Sequence, residues 1–340
     1  MPTFFENDLS LQSYWRSIIL YGKNVASYKF ALAKSLIELK KTKNDLVKIE
    51  DLSNLFANHI CEHLKNNDKQ ITSNSSEFLN TLKKYNLGEV DLGKRNLITA
   101  KQGFNNVIDA FHVVNGKSIE NPFFIDERKL NKGIRLTDSF HNLLDIKESE
   151  NFYSEVEARW RLVETAWKLG LATKLVQVQY DSVNDDFYVD DKKKRINVTS
   201  SKNALNGYQK SKCFFCYDYI SIISKSENLC NVDHFFPHYL KNANFEGYVD
   251  GIWNLVLACE SCNKGINGKF AKLPTIKLLE RLNRRNEYFC SSHHPLKETI
   301  IQQTGETEEK RKAFLQKSFD EAKEILLHTW EPEAKASSVF

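Results

Sequence analysis

The 340-residue sequence has no apolar run that approaches the length of a membrane-spanning helix, so no membrane partner is expected. Residues 1–6 lack a basic region followed by an apolar one, which argues against a signal peptide and favours a cytoplasmic location. Neither an internal repeat nor a low-complexity block is present. Their absence argues against repeat architectures and compositionally biased segments.

Neither sign of charge is in large excess. The 48 Lys and Arg residues against 44 Asp and Glu give a net charge of +4, which is compatible with a nucleic-acid partner without being evidence for one. The hydrophobic content of 41% is ordinary for a soluble protein and argues against disorder. At this length the chain can bury a sizeable core and predicts two or three domains.

The cysteine count is odd, so the seven cysteines cannot all pair within one chain. Four of them form two Cys-x-x-Cys pairs, and three stand apart. The paired residues are Cys213, Cys216, Cys259 and Cys262, and the separate ones are Cys61, Cys230 and Cys290. This pattern favours a reducing compartment and a metal site over a disulfide framework.

Apolar residues at helical spacing dominate the first 150 residues. The predicted helices cover residues 9–41, 45–65, 77–85 and 100–114. Residues 115–144 show a mixed pattern that includes short strands. The region 1–150 is therefore predicted to be mostly helical, and it would serve recognition, oligomerisation or regulation.

The remaining chain divides into three predicted segments. Residues 151–205 combine an amphipathic helix, 155–169, with a small antiparallel sheet. Residues 206–275 contain both cysteine pairs, and residues 276–340 are predicted to contain helices. The predicted fold class is α+β.

Four thiolates from two Cys-x-x-Cys pairs suit zinc in a tetrahedral site. The pairs are separated by 42 residues, 217–258, which is too long for a plain zinc ribbon with roughly 15 to 20 intervening residues. A folded insert is therefore expected between them. Because four cysteines leave no position open for water, the zinc is predicted to be structural.

The insert carries Asp233 and His234 in the sequence Val-Asp-His-Phe-Phe-Pro. Residues 229–236 predict a strand that ends at Pro237, because proline cannot donate to a β-ladder. Adjacent strand residues point to opposite faces, so the carboxylate and the imidazole are expected on different sides. Residues 252–257 predict either the partner strand or the approach to a helix.

The order Cys-x-x-Cys, Val-Asp-His-x-x-Pro, Asn-Leu, Cys-x-x-Cys-Asn and Gly-Lys-Phe resembles the HNH nuclease family. It is most similar to the branch in which a four-cysteine zinc site braces the ββα-metal fold. The resemblance covers residues 208–275, about a fifth of the chain. It implies an ββα-metal HNH module with structural zinc between the small sheet and the C-terminal helices.

The resemblance also implies roles for individual residues. His234 would be the general base that activates a water, an appropriate task for an imidazole. Asp233 would be the acidic ligand of one catalytic divalent cation, and Asn263, predicted to lie where a helix begins, would be the second protein ligand. Hard oxygen ligands favour Mg²⁺ or Mn²⁺, which would polarise the phosphate and stabilise the leaving oxygen.

Three further positions follow from the same resemblance. Asn254 would orient the loop and the base through hydrogen bonds. Lys269 matches a basic position expected to meet phosphate, with Lys264 as the alternative. The sequence departs from the family here, because the family often places its lysine three residues after the asparagine, where this sequence has Ile266. Asn267 could be a further metal ligand.

The resemblance implies a metal-dependent endonuclease that hydrolyses phosphodiester bonds in DNA. By analogy with nucleases that carry a large additional region, restriction or anti-phage defence is the expected setting, with an activating or targeting protein partner or self-association. Two alternatives stay open, namely a zinc-braced nucleic-acid-binding module without cleavage and an RNA-directed nuclease. Arg281, Arg284 and Arg285 either form a solvated face or contact phosphate.

Overall fold

A computed structural model describes residues 4, 8–22, 25–41, 44–72, 76–168, 178–191, 194–243, 245, 248–293 and 295–338. Helices and small, mostly antiparallel sheets form an α+β fold, which confirms the predicted class. The chain divides into a first unit, residues 10–170, and a second unit, residues 1–9 with 171–340. Among the described residues, no helix is both long and apolar enough to cross a membrane.

The first unit consists mainly of helices, as predicted for the N-terminal region. The helices are α1 Leu11–Tyr21, α2 Tyr28–Glu38, α3 Ile49–Asn66, α4 Glu77–Asn86, α5 Leu92–Ile98, α6 Val107–Ala110, α7 Arg128–Asn131, α8 Asp138–Asp145 and α9 Phe152–Lys168. The strands are β1 Leu46–Lys48, β2 Val113–Val114, β3 Lys117–Ser118, β4 Phe124–Glu127 and β5 Gly133–Leu136. Strands β1, β5 and β4 form one antiparallel sheet, and β2 pairs with β3.

Local sequence accounts for two boundaries in this unit. Ser10 caps α1, because its side chain accepts a hydrogen bond from the Ser13 backbone N–H. The helix predicted over residues 9–41 is two helices, and α1 ends at Gly22, whose backbone is extended. A turn at Asn115-Gly116 connects β2 and β3, and both residues have positive φ.

Helix α9 packs against α1 and α2 inside the first unit. Trp160 stacks on Phe30, with ring centroids 6.1 Å apart, and on His63 at 3.5 Å. Each fully buried large apolar side chain of this kind contributes about 2 kcal/mol. The structure therefore places α9 with the N-terminal helices, whereas the sequence analysis assigned it to a connecting segment, 151–205.

The second unit contains the predicted small sheet, both cysteine pairs and the C-terminal helices. Its helices are α10 Ser201–Gln209, α11 Glu260–Lys264, α12 Ile276–Ser291, α13 Pro295–Thr304 and α14 Glu308–Ile325. Its strands are β6 Gln179–Asp181, β7 Asp186–Asp191, β8 Lys194–Ser200, β9 Asn231–His234, β10 Leu255–Ala258, β11 Leu273–Pro274 and β12 Thr329–Trp330. Strands β6, β7 and β8 form the predicted antiparallel sheet, although residues 175–177, where its first strand was predicted to begin, lie outside the described residues.

The segment after α14 returns to the region of the cysteine pairs. Strand β12 pairs in parallel with β11, and the Trp330 indole N–H donates to the carbonyl of Asn267 at 2.7 Å. Further along, the Lys335 backbone N–H donates to the carbonyl of Cys216 at 2.9 Å. The predicted boundary at residue 275 therefore does not separate two independent bodies.

The buried ion pair between Arg16 and Glu155 yields a stability prediction. Two N–H groups of Arg16 donate to the two Glu155 oxygens at 2.8 Å, and both side chains are at most 6% exposed. Arg16→Met leaves a buried carboxylate without its cation and is expected to lower the free energy of unfolding by about 3 to 5 kcal/mol in urea denaturation. The double variant Arg16→Met/Glu155→Leu should recover most of that loss. A single variant as stable as the wild type would contradict the assignment.

Candidate metal centre and active site

A strand, a second strand and a short helix carry the predicted site residues. Strands β9 and β10 are antiparallel, with Asp233 opposite Val256 and His234 opposite Leu255. Helix α11 follows β10 directly, which is the ββα order that the resemblance implies. Asn263 lies in the last turn of α11, because the helix begins at Glu260 instead of at the predicted position after Cys262.

The two cysteine pairs converge on one point. The four Sγ atoms of Cys213, Cys216, Cys259 and Cys262 lie within 4.8 Å of one another, so they could hold a metal ion such as zinc. Four sulfurs at this separation cannot all be thiolates unless a cation neutralises them. Hydrogen bonds with the other three cysteines lower the pKa of Cys259. The hydrogen bonds that Cys262 makes with its three cysteine neighbours raise its pKa instead. Metal binding would therefore release protons.

The first cysteine pair is held by backbone contacts. The Tyr217 N–H donates to the carbonyl of Cys213 at 3.0 Å, and Tyr217 has a φ of 62° that closes the turn. The Phe214 N–H donates to the carbonyl of Leu257 at 2.9 Å, which ties this turn to β10. The Arg281 guanidinium donates to the Phe214 carbonyl and lies 3.9 Å from the centre of the Tyr217 ring. Arg281 therefore stabilises the cysteine turn.

Asp233 is buried, and one of its two carboxylate oxygens has a partner. Its Oδ1 lies 3.2 Å from the Lys269 ammonium, and its Oδ2 is buried without a hydrogen-bond partner in the described part of the chain. Burial raises the pKa of this carboxyl, and the lowering effect of Lys269 does not outweigh it. Lys269 is only 1% exposed, and it is the counter-ion of Asp233. Its ammonium is therefore not at the surface, where a residue expected to contact phosphate would lie.

Asn263 supplies a second oxygen donor on the element that lies against β9. It is half-buried, and its side-chain amide makes no hydrogen bond to any described residue. The unpartnered Oδ2 of Asp233 and this amide oxygen are the hard donors that a hydrated Mg²⁺ or Mn²⁺ ion prefers. At Asp233 such a cation would compete with the Lys269 ammonium. Asn267 is exposed on the loop after α11.

His234 is held by a carboxylate that the sequence analysis missed. Its Nε2 lies 3.1 Å from Asp250 Oδ1, and Asp250 Oδ2 accepts from the Lys241 ammonium at 2.8 Å. The hydrogen bond from His234, followed by that from Lys241, keeps the pKa of Asp250 below its usual range. Asp250 lies in the loop between the two strands, 16 residues after His234. Nothing in its spacing marks it as a partner of His234.

Asn254 joins the two ends of that loop. It is fully buried, its Oδ1 accepts from the Phe236 N–H at 2.7 Å, and its Nδ2 donates to the carbonyls of Phe236 and Val249 at 3.0 and 2.8 Å. Every polar atom of the amide is thereby used in fixing backbone. These contacts hold the loop next to His234, which is the role that the resemblance implies.

The predicted nucleic-acid contacts do not all reach the surface. Lys264 and Arg284 are exposed and stay predictions. Arg285 is fully buried and donates to the carbonyls of Leu255 at 2.8 Å and Trp253 at 3.1 Å. The prediction for Arg285 is wrong, because these buried carbonyls at the start of β10 need a donor and the guanidinium supplies it.

Comparisons with protein-family models, with curated proteins and with solved structures find no match for this chain. Inference about its function therefore depends on the geometry and chemistry of its own residues.

The cysteine cluster predicts a metal content that can be measured. We expect the purified chain to carry about one equivalent of zinc by mass spectrometry of the metal, because four thiolates form a closed tetrahedral site. Cys216→Ser should lose that metal and lower the melting temperature. Cys290→Ser is the matched control, because Cys290 is a buried free thiol outside the cluster. Equal metal content in all three proteins would rule out the cluster as the site.

The buried pair of Asp233 and Lys269 predicts a pH-dependent loss of stability. Lys269→Met removes the cation and raises the folded-state pKa of Asp233 still further above that of the unfolded chain. The variant should then be destabilised little near pH 4 and by about 3 kcal/mol near pH 8 in urea denaturation. Asp233→Asn/Lys269→Met removes the buried charge and should abolish that dependence. A pH-independent loss in the single variant would show that the two groups do not interact.

Proposed function

We propose that this chain is a metal-dependent HNH endonuclease that hydrolyses phosphodiester bonds in DNA. One observation carries the proposal. Strand β9 presents a buried carboxylate with an unpartnered oxygen, Asp233, next to a histidine held by a carboxylate, His234, and α11 lies against this strand with Asn263. A fixed imidazole beside hard oxygen donors is what hydrolysis of a phosphate diester requires.

His234 would act as the general base. Its Nε2 is bound to Asp250, and Nδ1 has no hydrogen-bond partner among the described residues. A neutral imidazole can accept a proton from water near neutral pH and so generate the attacking oxygen. Asn254 contributes by fixing the backbone of the loop on both sides of the base.

Asp233 and Asn263 would hold one Mg²⁺ or Mn²⁺ ion. Such an ion, when bound, polarises the phosphate and stabilises the leaving oxygen. The four cysteines would hold a separate zinc ion whose role is structural, because the sulfur ligands leave no open position. The chain would therefore use two metals with two separate ligand sets.

Exposed cations near the site would meet the DNA backbone. Lys264, at the end of α11, and Arg284, on α12, are both exposed. Contacts of this kind give affinity that is independent of sequence and falls with salt. The first unit, residues 10–170, would supply target recognition, self-association or regulation.

A second candidate function is a zinc-braced nucleic-acid-binding module that does not cleave. The ion pair between Lys269 and Asp233 favours it, because the ammonium already neutralises the carboxylate that a catalytic cation would need. The two candidates differ in whether the protein requires a divalent cation to act on DNA.

The deciding experiment incubates the protein with plasmid, linear DNA and RNA in Mg²⁺, Mn²⁺ or chelator. We expect divalent-dependent DNA cleavage that falls at least about 100-fold in His234→Ala, because general-base catalysis is worth that much. His141→Ala, an exposed histidine of the first unit, is the matched control and should keep full activity.

Each other outcome is informative. Binding without cleavage in any metal supports the binding module, and cleavage of RNA alone supports the RNA-directed nuclease. Cleavage that is equally fast in His234→Ala and the wild type excludes the proposed mechanism.

A further inference from the structure

The carboxylate of Asp250 lies between the imidazole of His234 and the ammonium of Lys241. Its Oδ1 is 3.1 Å from His234 Nε2, and its Oδ2 is 2.8 Å from Lys241 Nζ. An ionised carboxylate only accepts hydrogen bonds, so Nε2 must carry a proton in this contact. The lone pair of a neutral imidazole is then on Nδ1.

We propose that Asp250 is a positioning residue that fixes the orientation and the tautomer of the His234 base. This inference rests on the proposed function for its catalytic consequence, but the contact itself does not depend on it. During base catalysis the proton of the water passes to Nδ1. Nε2 keeps its own proton, which it donates to Asp250 in a hydrogen bond. The carboxylate then faces an imidazolium cation, which it stabilises.

The backbone around Asp250 is fixed on both sides. The preceding carbonyl, of Val249, accepts from the buried Asn254 amide at 2.8 Å. The following residue is Gly251, where an added Cβ would collide with the Trp253 indole. A carboxylate whose backbone is bonded and closely packed on both sides can hold the imidazole in one orientation.

The other neighbours of the imidazole cannot take over this task. The Tyr180 ring meets His234 edge to face at 6.0 Å between centroids, and its hydroxyl donates to Asp185 at 2.8 Å. The His238 ring lies 5.5 Å from that of His234, and its Nε2 is 3.6 Å from Asp250 Oδ1. His238 is 55% exposed and lies next to the same carboxylate, and the described structure shows no hydrogen bond between His238 and His234. Asp250 is therefore the group that orients the base among the described neighbours.

A purely structural role is the competing explanation, in which Asp250 only anchors the loop through Lys241. Lys241→Met is the matched control for it, because this variant removes the ammonium bound to Asp250 Oδ2 and leaves the contact with His234 intact. Lys241 is 54% exposed, so the substitution disturbs little packing. The positioning role predicts a much larger loss of activity in Asp250→Ala than in Lys241→Met, whereas the anchoring role predicts similar losses in the two variants.

The first arm of the test measures single-turnover cleavage of plasmid DNA in Mg²⁺ by the full chain. Asp250→Ala is expected to slow cleavage about 100-fold while the Kd for DNA changes less than about 3-fold, and Lys241→Met should stay within about 3-fold of the wild type. The double variant His234→Ala/Asp250→Ala should be no slower than His234→Ala, because Asp250 acts through His234. Additive losses in the double variant, or full activity in Asp250→Ala, would overturn the proposal.

The second arm is independent of activity. With ¹⁵N-labelled histidine, the proton on His234 Nε2 should give a protected low-field N–H signal in the wild type and in Lys241→Met, assigned by its absence in His234→Ala. The signal should disappear in Asp250→Ala, and Asp250→Leu, whose side chain is of similar shape and has no acceptor, serves if the alanine variant does not retain its zinc. A signal that persists unchanged in the Asp250 variants overturns the contact. If the wild type cleaves no nucleic acid, the proposed function fails, and this signal alone decides whether Asp250 holds His234.

Discussion

The convergence of four sulfur atoms is the constraint on which the second unit depends. Cys213 and Cys216 lie in a turn that is hydrogen-bonded to β10. Cys259 directly precedes α11, and Cys262 lies within that helix. Bringing these pairs within 4.8 Å of one another closes the 42-residue loop that contains β9 and fixes the helix against the strand pair. Closing such a loop costs chain entropy, which a metal bound only by the folded state offsets. The position of every proposed catalytic group follows from this closure.

Two neighbouring residues of strand β9, Asp233 and His234, lie in different electrostatic environments. Asp233 points to a side where burial opposes its charge and one lysine compensates for it incompletely. His234 points to the other side, where it meets an ionised carboxylate that is itself bound to a lysine. The pleat of a strand achieves this separation without any change of backbone, because neighbouring side chains alternate between faces. A cation site and a proton acceptor can therefore be adjacent in sequence without sharing the same partners.

The sequence was sufficient wherever the signal was local. Spacing and residue type predicted the cysteine cluster, the strand with Asp233 and His234, and the small sheet, and the family resemblance pointed to the role of Asn254. It missed Asp250, because the contact with His234 depends on the path of an irregular loop. The burial of Arg285 could have been predicted, because Leu278, Leu282 and Phe289 lie on the same face of its helix at spacings of three and four residues. The burial of Lys269 and the grouping of α9 with the first unit depend on tertiary packing that no short pattern encodes.

The return of the chain after α14 has a consequence for the order of folding. Trp330 binds the loop that carries Lys269, and Lys335 binds the turn of the first cysteine pair, more than a hundred residues earlier. Contacts between such distant positions form slowly, and during synthesis they must wait until residues 330–335 have left the ribosome. The nascent protein therefore carries its cysteine turns for some time before the loop next to Asp233 is anchored. We expect the centre to be complete only after these contacts have formed.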